Sequence, residues 1–388
     1  MPATFDTVEE YWNWSDIEEA AKRASSDSTQ VFRTSLASYL GVDDHAALTL
    51  MPSARSGLER LLRQHLGQRR SVLLPEFNCS AVQDAIEAAG GKLRFYDFAS
   101  SPGLFDWSAV LRMADSTTGA IIVTHYSGVP VDFRSIIDFC QENKVLLIED
   151  CAHTLGGCIG SATAGTLGDA ALFSFNYDKP ISLGWGGAVL VNNPTYYLSD
   201  SIRGIVIPSI AEEIGLLRNF IRAMGERRKA IPRQGRLLEK FIQRLGLHRV
   251  YPFTKAEDIG IGAVQAELGL QCLSRYDEIK GIRSLRAERF AIEVPGRTWP
   301  VNGDITPAWL KQKVHFSDCV ALRRCARRLQ RQGVRAGNFN WPDLLSSEGA
   351  TPCKNATEAA TCWMDVPIHQ GLTESVLDAC IRELSRNP

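Results

Sequence analysis

The stretch Ala171–Leu190, ALFSFNYDKPISLGWGGAVL, contains an apolar run, a single lysine and a cluster of glycines. The runs AALFSFN (170–176) and GGAVLVNN (186–193) have the length and composition of strands that are covered on both faces of a sheet. The segment between them is too short for a crossover helix, so one of the two strands is predicted to run antiparallel to its neighbours. Lys179 lies in that connection, where an isolated lysine is usually a solvated turn residue.

Five further apolar runs precede this stretch, and helical patterns separate most of them. The runs are AALTLM (46–51), SVLLP (71–75), KLRFYDF (92–98), GAIIVTHY (119–126) and KVLLIEDC (144–151). Strands that alternate with helices form a mainly parallel sheet with helices on its faces. The sequence therefore predicts an α/β fold with a mostly parallel seven-stranded sheet.

Two later segments depart from this alternation. Residues 203–249 are rich in lysine and arginine, and their pattern indicates two helices broken around Pro232 and Gly235. They form either a solvated helical hairpin or a lid that attracts an anionic substrate. A long helix over 263–294 then leads into short strands and helices. We predict a large domain over residues 1–250 and a smaller C-terminal α+β domain over 251–388.

Composition narrows the class of protein. The 388 residues carry a formal net charge of −1, which does not favour nucleic acid or a membrane surface as a partner. Ten cysteines include no CxxC pair, which indicates reduced thiols in the cytoplasm and predicts neither disulfides nor a metal site. The first residues, MPATFDTVEEYWNWSD, lack the pattern of a signal peptide, and no apolar run reaches the roughly 18 residues of a membrane span.

Polar residues at the predicted strand ends are the candidates for chemistry, because open α/β sheets bind ligands at the carboxyl ends of their strands. The turn MPSARSGLERLL offers a helix start that suits an anion, although Ser53 alone is more simply an N-cap. Asp150 closes an apolar strand, where a carboxylate is costly to bury without a cation. Ser174 and Lys179 follow another strand end, and a partly desolvated lysine can attack a carbonyl.

These features together fit one cofactor. Pyridoxal 5′-phosphate needs a lysine that forms a Schiff base, a pocket for its phosphate and a carboxylate that keeps its pyridine nitrogen protonated. The phosphate turn, Asp150 and Lys179 supply all three in one predicted α/β domain. The glycines of GWGG (184–187) would let the backbone approach such a ligand closely.

These motifs and several other blocks of the sequence resemble one protein family. The stretch VLLIEDCAHTLGG and the later GTLGDAALFSFNYDKPISLGWGGAVLVNN closely resemble the core pattern of the DegT/DnrJ/StrS sugar aminotransferases. FRTSLASYLGV (32–42), AVQAELGLQCLSRYDEI and MDVPIHQGLTESVLDACIREL resemble other blocks of that family in the same order. The likeness covers most of residues 32–388, apart from 203–253.

The resemblance implies specific roles. Members of the family are pyridoxal-phosphate enzymes of fold type I, and they form homodimers in which both subunits build each site. By position, Lys179 would be the Schiff-base lysine and acid–base, and Asp150 would pair with the pyridine nitrogen. The other implied cofactor contacts are His153, Ser174, Ser53, Ala54, Arg55 and Phe77, and the candidates for substrate contact are Trp185, His315 and Trp341.

Several positions depart from the family pattern. The Gly-Thr of the phosphate turn is Ala54-Arg55 here, and Cys79 stands where an aromatic residue usually stacks on the cofactor. Trp185 replaces the glutamate of GEGG, and Asp258 aligns with a segment whose asparagine reaches the phosphate of the neighbouring subunit. These changes lie around the substrate and the phosphate, whereas Lys179 and Asp150 are kept.

The resemblance implies an aminotransferase that moves an amino group, from glutamate by expectation, to a nucleotide-linked keto-sugar in polysaccharide or secondary-metabolite biosynthesis. Two alternatives stay open. The chain could be an enzyme of the same family with altered chemistry or a non-nucleotide substrate, which Cys79, Trp185 and the basic segment favour. It could also be a non-catalytic binding protein, although such a protein would be expected to lose Lys179 or Asp150.

Overall fold

The computed structural model describes residues 5–6, 8, 12–44, 47–99, 102–198, 204–229, 258–301, 303–337 and 353–386. Its strands are β1 Leu48–Met51, β2 Ser71–Pro75, β3 Lys92–Tyr96, β4 Thr118–Thr124, β5 Leu146–Asp150, β6 Cys158–Ile159, β7 Ala162–Thr163, β8 Ala170–Ser174, β9 Gly187–Val191, β10 Ile305–Thr306, β11 Gln312–His315 and β12 Trp363–Val366. Its α-helices are α1 Trp14–Arg23, α2 Ser28–Tyr39, α3 Ala54–His65, α4 Ser80–Ala88, α5 Trp107–Met113, α6 Ile137–Glu142, α7 Ile210–Lys229, α8 Ala263–Ser274, α9 Tyr276–Glu293, α10 Cys319–Arg331, α11 Lys354–Cys362 and α12 Glu374–Ser385.

A seven-stranded sheet in the order β1-β9-β8-β5-β4-β2-β3 lies at the centre of the molecule. Neighbours from β3 through β8 pair in parallel, and β9 pairs antiparallel with both β8 and β1. The fold class is therefore confirmed, including the antiparallel strand after the Lys179 connection. All seven strands fall within the seven apolar runs of the sequence, give or take a residue.

Both faces of this sheet are buried, as the unbroken apolar runs predict. In β2, Val72 and Leu74 pack on the layer that holds α3 and α4, whereas Leu73 between them joins the core on the opposite face. The same alternation holds in β4, where Ile121 and Val123 share the face of Leu73. Side chains of successive strand residues point to opposite faces, so helices on both sides must cover them.

The prediction of one long helix over 263–294 is wrong in one respect, because the helix is broken at Arg275. α8 ends and α9 begins around this residue, whose backbone leaves the regular helical path at φ −105° and ψ −1°. The break separates two packing partners. Phe32 of α2 packs closely against Gly269 of α8, and the buried Tyr276 at the start of α9 stacks edge-on against Tyr39.

The first helix of the basic segment is α7, and it is more than a solvated surface element. Leu217 and Phe220 are buried, and the Phe220 ring lies 5.5 Å from the ring of Trp12. A Cβ on Gly184 would lie 3.4 Å from the Phe220 ring, so this ring packs beside Gly184 in the connection that carries Lys179. The second predicted helix of the segment, with Pro232 and Gly235, lies outside the described residues.

The C-terminal strands and helices share a core with the large sheet. β11 pairs antiparallel with β12, and their Val314 and Met364 lie in the same buried cluster as Leu73 and Phe77. The domain boundary near residue 250 stays a prediction, because the chain around it is outside the described residues. No helix in the described ranges is long and apolar enough to span a membrane.

Candidate active site

The predicted phosphate turn lies against the end of one strand and the start of another. Ser53 caps α3, since its Oγ accepts the Ser56 N–H at 3.0 Å, and the turn pairs with Gly186. Gly187 pairs with Ser174 across β8 and β9. A Cβ on Gly187 would lie 2.5 Å from the Ala54 nitrogen and 2.6 Å from the Phe173 oxygen, so only glycine permits this approach. The structure thus brings Ser53, Ala54 and Ser174 together.

Lys179 lies in the same region, and its amine is largely buried. Its side chain is 14% exposed, and Nζ lies 3.4 Å from Asp178 Oδ1. Burial lowers the pKa of Lys179, but the charges of Asp178, Cys79 and Asp150 together outweigh it, and the pKa ends above its usual value. The amine is therefore an enclosed group under the influence of three acidic neighbours, which is unlike the surface lysine that is the usual case.

The connection that carries Lys179 is held by side chains far away in the sequence. The Trp12 indole N–H donates to the Ser182 carbonyl at 2.6 Å. The side-chain amide of Gln265, from α8, donates to the carbonyls of both Leu183 and Trp185 at 2.8 Å. Buried carbonyls need such partners, because an unsatisfied one costs about 1–3 kcal/mol. The path of the chain after Lys179 is thus fixed by α8 and by the N-terminal segment.

Asp150 ends β5 inside the site. Its carboxylate Oδ1 accepts the Ala152 N–H at 3.0 Å. Burial raises the pKa of Asp150, against the lowering effects of that hydrogen bond, of Lys179 and of His125. A buried carboxylate with a raised pKa gains most from a further cationic N–H donor. This is the property that a partner of a protonated pyridine nitrogen needs.

His153 is buried, and its surroundings disfavour the protonated imidazolium. It is 7% exposed, and burial together with the positive charges of Lys179, Lys311 and Lys313 brings its pKa well below the usual value. The histidine therefore belongs to the same electrostatic neighbourhood as Lys179. In its neutral state one ring nitrogen donates a hydrogen bond and the other accepts one, which suits contact with a ring or phenolic oxygen.

A buried hydrogen-bond network fixes the strand that carries Asp150. The Val131 N–H donates to His125 Nδ1 at 3.0 Å, so Nε2 carries the proton and donates to Glu149 Oε2 at 3.1 Å. Glu149 also accepts the backbone N–H groups of Gly165, Leu167 and Gly168. The atoms of His125, Glu149 and Cys151 are close enough together to hold a metal ion, but these bonds already engage the carboxylate.

Cys79 and Phe77 follow β2 at the edge of the site. Cys79 is exposed, precedes α4 and lies close enough to Lys179 to affect its pKa. Phe77 is 1% exposed and packs against Phe98 and Tyr126. Its predicted contact with the cofactor stays a prediction.

The predicted substrate residues are more scattered. Trp185 is 8% exposed, packs in the core beside α8 and donates its indole N–H to the Gly260 carbonyl at 3.3 Å. His315 ends β11 with its side chain 34% exposed and Nε2 3.3 Å from Glu358 Oε1. Trp341 lies outside the described residues. The roles of these three residues, and of Arg55 in the first turn of α3, stay predictions.

Sequence reasoning missed several residues of this neighbourhood. Asp178 was overlooked although it adjoins Lys179, since adjacent residues seldom point the same way. Lys311 and Lys313 in WLKQKVH, buried beside Asp365, were overlooked as well. The segment offers one signal, because two lysines at strand spacing beside apolar residues leave the chain on the same face.

Comparison with known proteins gives a family match over nearly the whole chain. The model of the DegT/DnrJ/EryC1/StrS aminotransferase family matches residues 9–385. A curated relative, the dTDP-4-dehydro-2,3,6-trideoxy-D-glucose 4-aminotransferase of Saccharopolyspora spinosa, is 31% identical over 169 residues. That alignment covers 43% of this chain and 43% of the relative, so the chain matches less than half the length of this curated relative.

Solved structures show the same fold over almost the whole chain. The aminotransferase TlmJ of Streptoalloteichus hindustanus superposes with a TM-score of 0.74 at 23% identity, covering 99% of this chain and 98% of TlmJ. The putative sugar aminotransferase Spr1654 of Streptococcus pneumoniae, described in its PLP-form, superposes with a TM-score of 0.73 at 16% identity. It covers 100% of this chain and 98% of Spr1654.

Replacing Trp12 tests how the lysine connection is held. Trp12→Phe keeps a ring against Phe220 but removes the donor to the Ser182 carbonyl, so we expect the free energy of unfolding to fall by about 1–3 kcal/mol. Trp14→Phe is the control, because its indole bonds to the exposed Glu18 and should change stability by less than about 0.5 kcal/mol. Urea denaturation measures both, and equal effects of the two changes would contradict this role for Trp12.

Proposed function

Because the chain belongs to the DegT/DnrJ/EryC1/StrS aminotransferase family, we propose that it is a pyridoxal-phosphate-dependent aminotransferase. It takes an amino group from glutamate and transfers it to a nucleotide-linked keto-sugar that serves polysaccharide or secondary-metabolite biosynthesis. The substrate class is supported by the name of the relative from Saccharopolyspora spinosa, an aminotransferase of a dTDP-linked sugar.

Pyridoxal 5′-phosphate is the cofactor of this family, so the cofactor predicted from the sequence is confirmed. When bound, it supplies an electron sink that stabilises negative charge on a carbon next to the amino nitrogen. The described residues fit it. Asp150 offers a buried carboxylate for the ring nitrogen, the turn at Ser53 offers a helix start for the phosphate, and Lys179 offers the amine.

Each residue then has a definite task. The Asp150 carboxylate holds a proton at the ring nitrogen, which keeps the cofactor electron-poor. Lys179 Nζ removes the proton from the α-carbon of the amino donor and later delivers a proton to the substrate carbon that receives the amine. A cationic partner for Asp150 would also weaken the pull of that carboxylate on Lys179, and so favour the neutral amine that accepts a proton.

The observation that carries this proposal is the convergence of an enclosed lysine and a buried aspartate at neighbouring strand ends. β5 and β8 are paired in the sheet, and Asp150 and Lys179 are close enough for each to affect the pKa of the other. A turn that only glycine at 187 permits lies beside the same strand end. A lysine with a purely structural role would need neither the buried aspartate nor the glycine turn beside it.

The test is a spectral titration of the purified holoenzyme with amino donors, followed by a panel of keto-sugar nucleotides. We expect glutamate to bleach the absorbance of the bound cofactor and a keto-sugar nucleotide to restore it. Lys179→Ala should slow both changes by about 10²–10⁴-fold, because the proton transfer loses its positioned base. Lys92→Ala is the control, since Lys92 is exposed on an edge strand.

Full turnover in Lys179→Ala would reject the proposal. Bleaching by an unrelated amino compound, with no keto-sugar nucleotide accepted, would instead favour the alternative of altered chemistry within the family. Bound cofactor with no response to any donor would favour a binding protein. The three outcomes are distinct because the colour of the cofactor, its loss and its return are measured separately.

We also propose that the chain works as a homodimer. Val206, Ile207 and Ile210 are large apolar side chains that are 60%, 59% and 42% exposed, and they follow one another closely along the chain. Val206 pairs with Ile259, and its N–H donates to the Asp258 carbonyl at 2.7 Å. This apolar strip therefore adjoins the segment that, by resemblance, reaches the phosphate of a neighbouring subunit.

Light scattering after size exclusion measures the oligomeric state. The wild-type chain should elute with twice its chain mass, and Val206→Asp should shift it toward the monomer, because a charge in an apolar interface loses its hydration. Ile292→Asp is the matched control, because Ile292 is 76% exposed on α9 and lies away from this strip in sequence. A wild-type chain that is monomeric at all concentrations would contradict the dimer.

We place the enzyme in the cytoplasm. All ten cysteines are free thiols, as is usual in a reducing compartment. Burial raises the pKa values of the Cys140, Cys272 and Cys380 thiols to about 12 and that of the Cys151 thiol well above its usual value, so they are inert core residues. Fractionation of cells that express the protein would check this placement, and recovery outside the cytoplasm would refute it.

A further inference from the structure

A cluster of two lysines and one aspartate is buried where the C-terminal strands meet the large sheet. Lys313 lies in β11 directly opposite Asp365 of β12, and Lys311 is two residues earlier, so both lysines leave the chain on one face. Lys311 Nζ lies 2.8 Å from Asp365 Oδ2, and Lys313 Nζ contacts Asp365 Oδ1. All three side chains are at most 2% exposed.

With both ammonium groups protonated, the cluster contains one more positive charge than negative charge. Each ammonium group has three N–H donors, and among the described residues Asp365 is the carboxylate that both lysines share. Removing an uncompensated ion from water is costly, so a buried excess charge calls for a counterion. Burial lowers the pKa of Lys313, Asp365 opposes this effect and Lys311 adds to it, as expected of incomplete compensation.

The excess charge lies beside the candidate active site. Lys313 Nζ is 5.6 Å from the ring centre of Phe77 and 5.8 Å from that of Trp299. The charges of Lys311 and Lys313 lower the pKa of His153, as the charge of Lys179 does. The segment before the cluster is fixed on the loop after β4, since the Leu310 N–H donates to the Ser127 carbonyl at 2.9 Å. Lys311 and Lys313 thus belong to the neighbourhood of Lys179 although they lie more than 130 residues away in sequence.

We propose that Lys311 and Lys313 bind a carboxylate of one of the two reactants. A second carboxylate would complete a cluster of two ammonium groups and two carboxylates without net charge, whereas a phosphate dianion would leave an excess of negative charge. The inference rests on the proposed aminotransferase function, in which the amino donor carries carboxylates. A sugar acid as the amino acceptor would present the same group, so the test distinguishes these two sources.

Titration calorimetry on the full-chain holoenzyme uses two pairs of unreactive probes. Glutarate and its neutral diamide, glutaramide, represent the donor. UDP-glucuronate and UDP-glucose represent the acceptor. In at least one pair we expect the carboxylate to bind more tightly than its neutral counterpart. Lys311→Met and Lys313→Met should each weaken the binding of that carboxylate at least about ten-fold and leave the neutral probe unchanged.

Lys92→Met is the control for loss of a lysine, because Lys92 is exposed, and it should bind every probe as the wild type does. A response in the glutarate pair assigns the site to the donor, and one in the UDP-glucuronate pair assigns it to the acceptor. Folded Met variants with unchanged affinities would overturn the proposal. If a Met variant does not fold, the wild-type titrations still test the proposal. Equal binding of the charged and the neutral probe in both pairs would overturn the carboxylate site.

Binding is measured without turnover, so the two claims can fail separately. A chain that binds the carboxylate probes in this manner but transaminates nothing would lack the proposed function and keep the anion site. A chain that transaminates while Lys311→Met and Lys313→Met leave all four affinities unchanged would keep the function and lack the site.

Discussion

The connection between β8 and β9 holds one enclosed amine among acidic groups, and side chains from distant parts of the chain fix its path. A connection of twelve residues (175–186) cannot fix a side chain by itself, because its own backbone groups need partners. The partners come from far away in the chain, as Trp12 and Gln265 donate to three carbonyls after Lys179. Phe220 of α7 packs beside Gly184 in the same connection. The geometry around Lys179 is therefore a tertiary property.

The parts of the molecule that follow a local rule could be predicted from the sequence. Apolar runs predicted all seven strands, and the short connection after Ser174 predicted the antiparallel β9. The long helix was wrong at Arg275, because helical periodicity continues through the break while Phe32 and Tyr39 select two separate packing surfaces. Which helix covers which face depends on contacts between distant segments, and periodicity carries no information on that.

The residues of the candidate site also fall into those that the sequence predicts and those that it does not. Asp150, Ser53, Ser174 and Lys179 each follow a strand end, and parallel strands bring their carboxyl ends to one edge of a sheet, so their proximity was predictable. Lys311 and Lys313 come from a different sheet, and nothing in their local sequence says that β11 is placed beside His153. The strand ends of the large sheet supply acidic neighbours around Lys179, and the segment of Lys311 and Lys313 supplies cations near His153.

Lys179 is the amine proposed to hold the cofactor. Borohydride reduction of the holoenzyme fixes pyridoxal phosphate to that amine, and digestion followed by mass spectrometry identifies the labelled peptide. We expect the label on Lys179, within FSFNYDKPISLGWGG. A label on Lys311, Lys313 or any other lysine, with Lys179 unmodified, would contradict it.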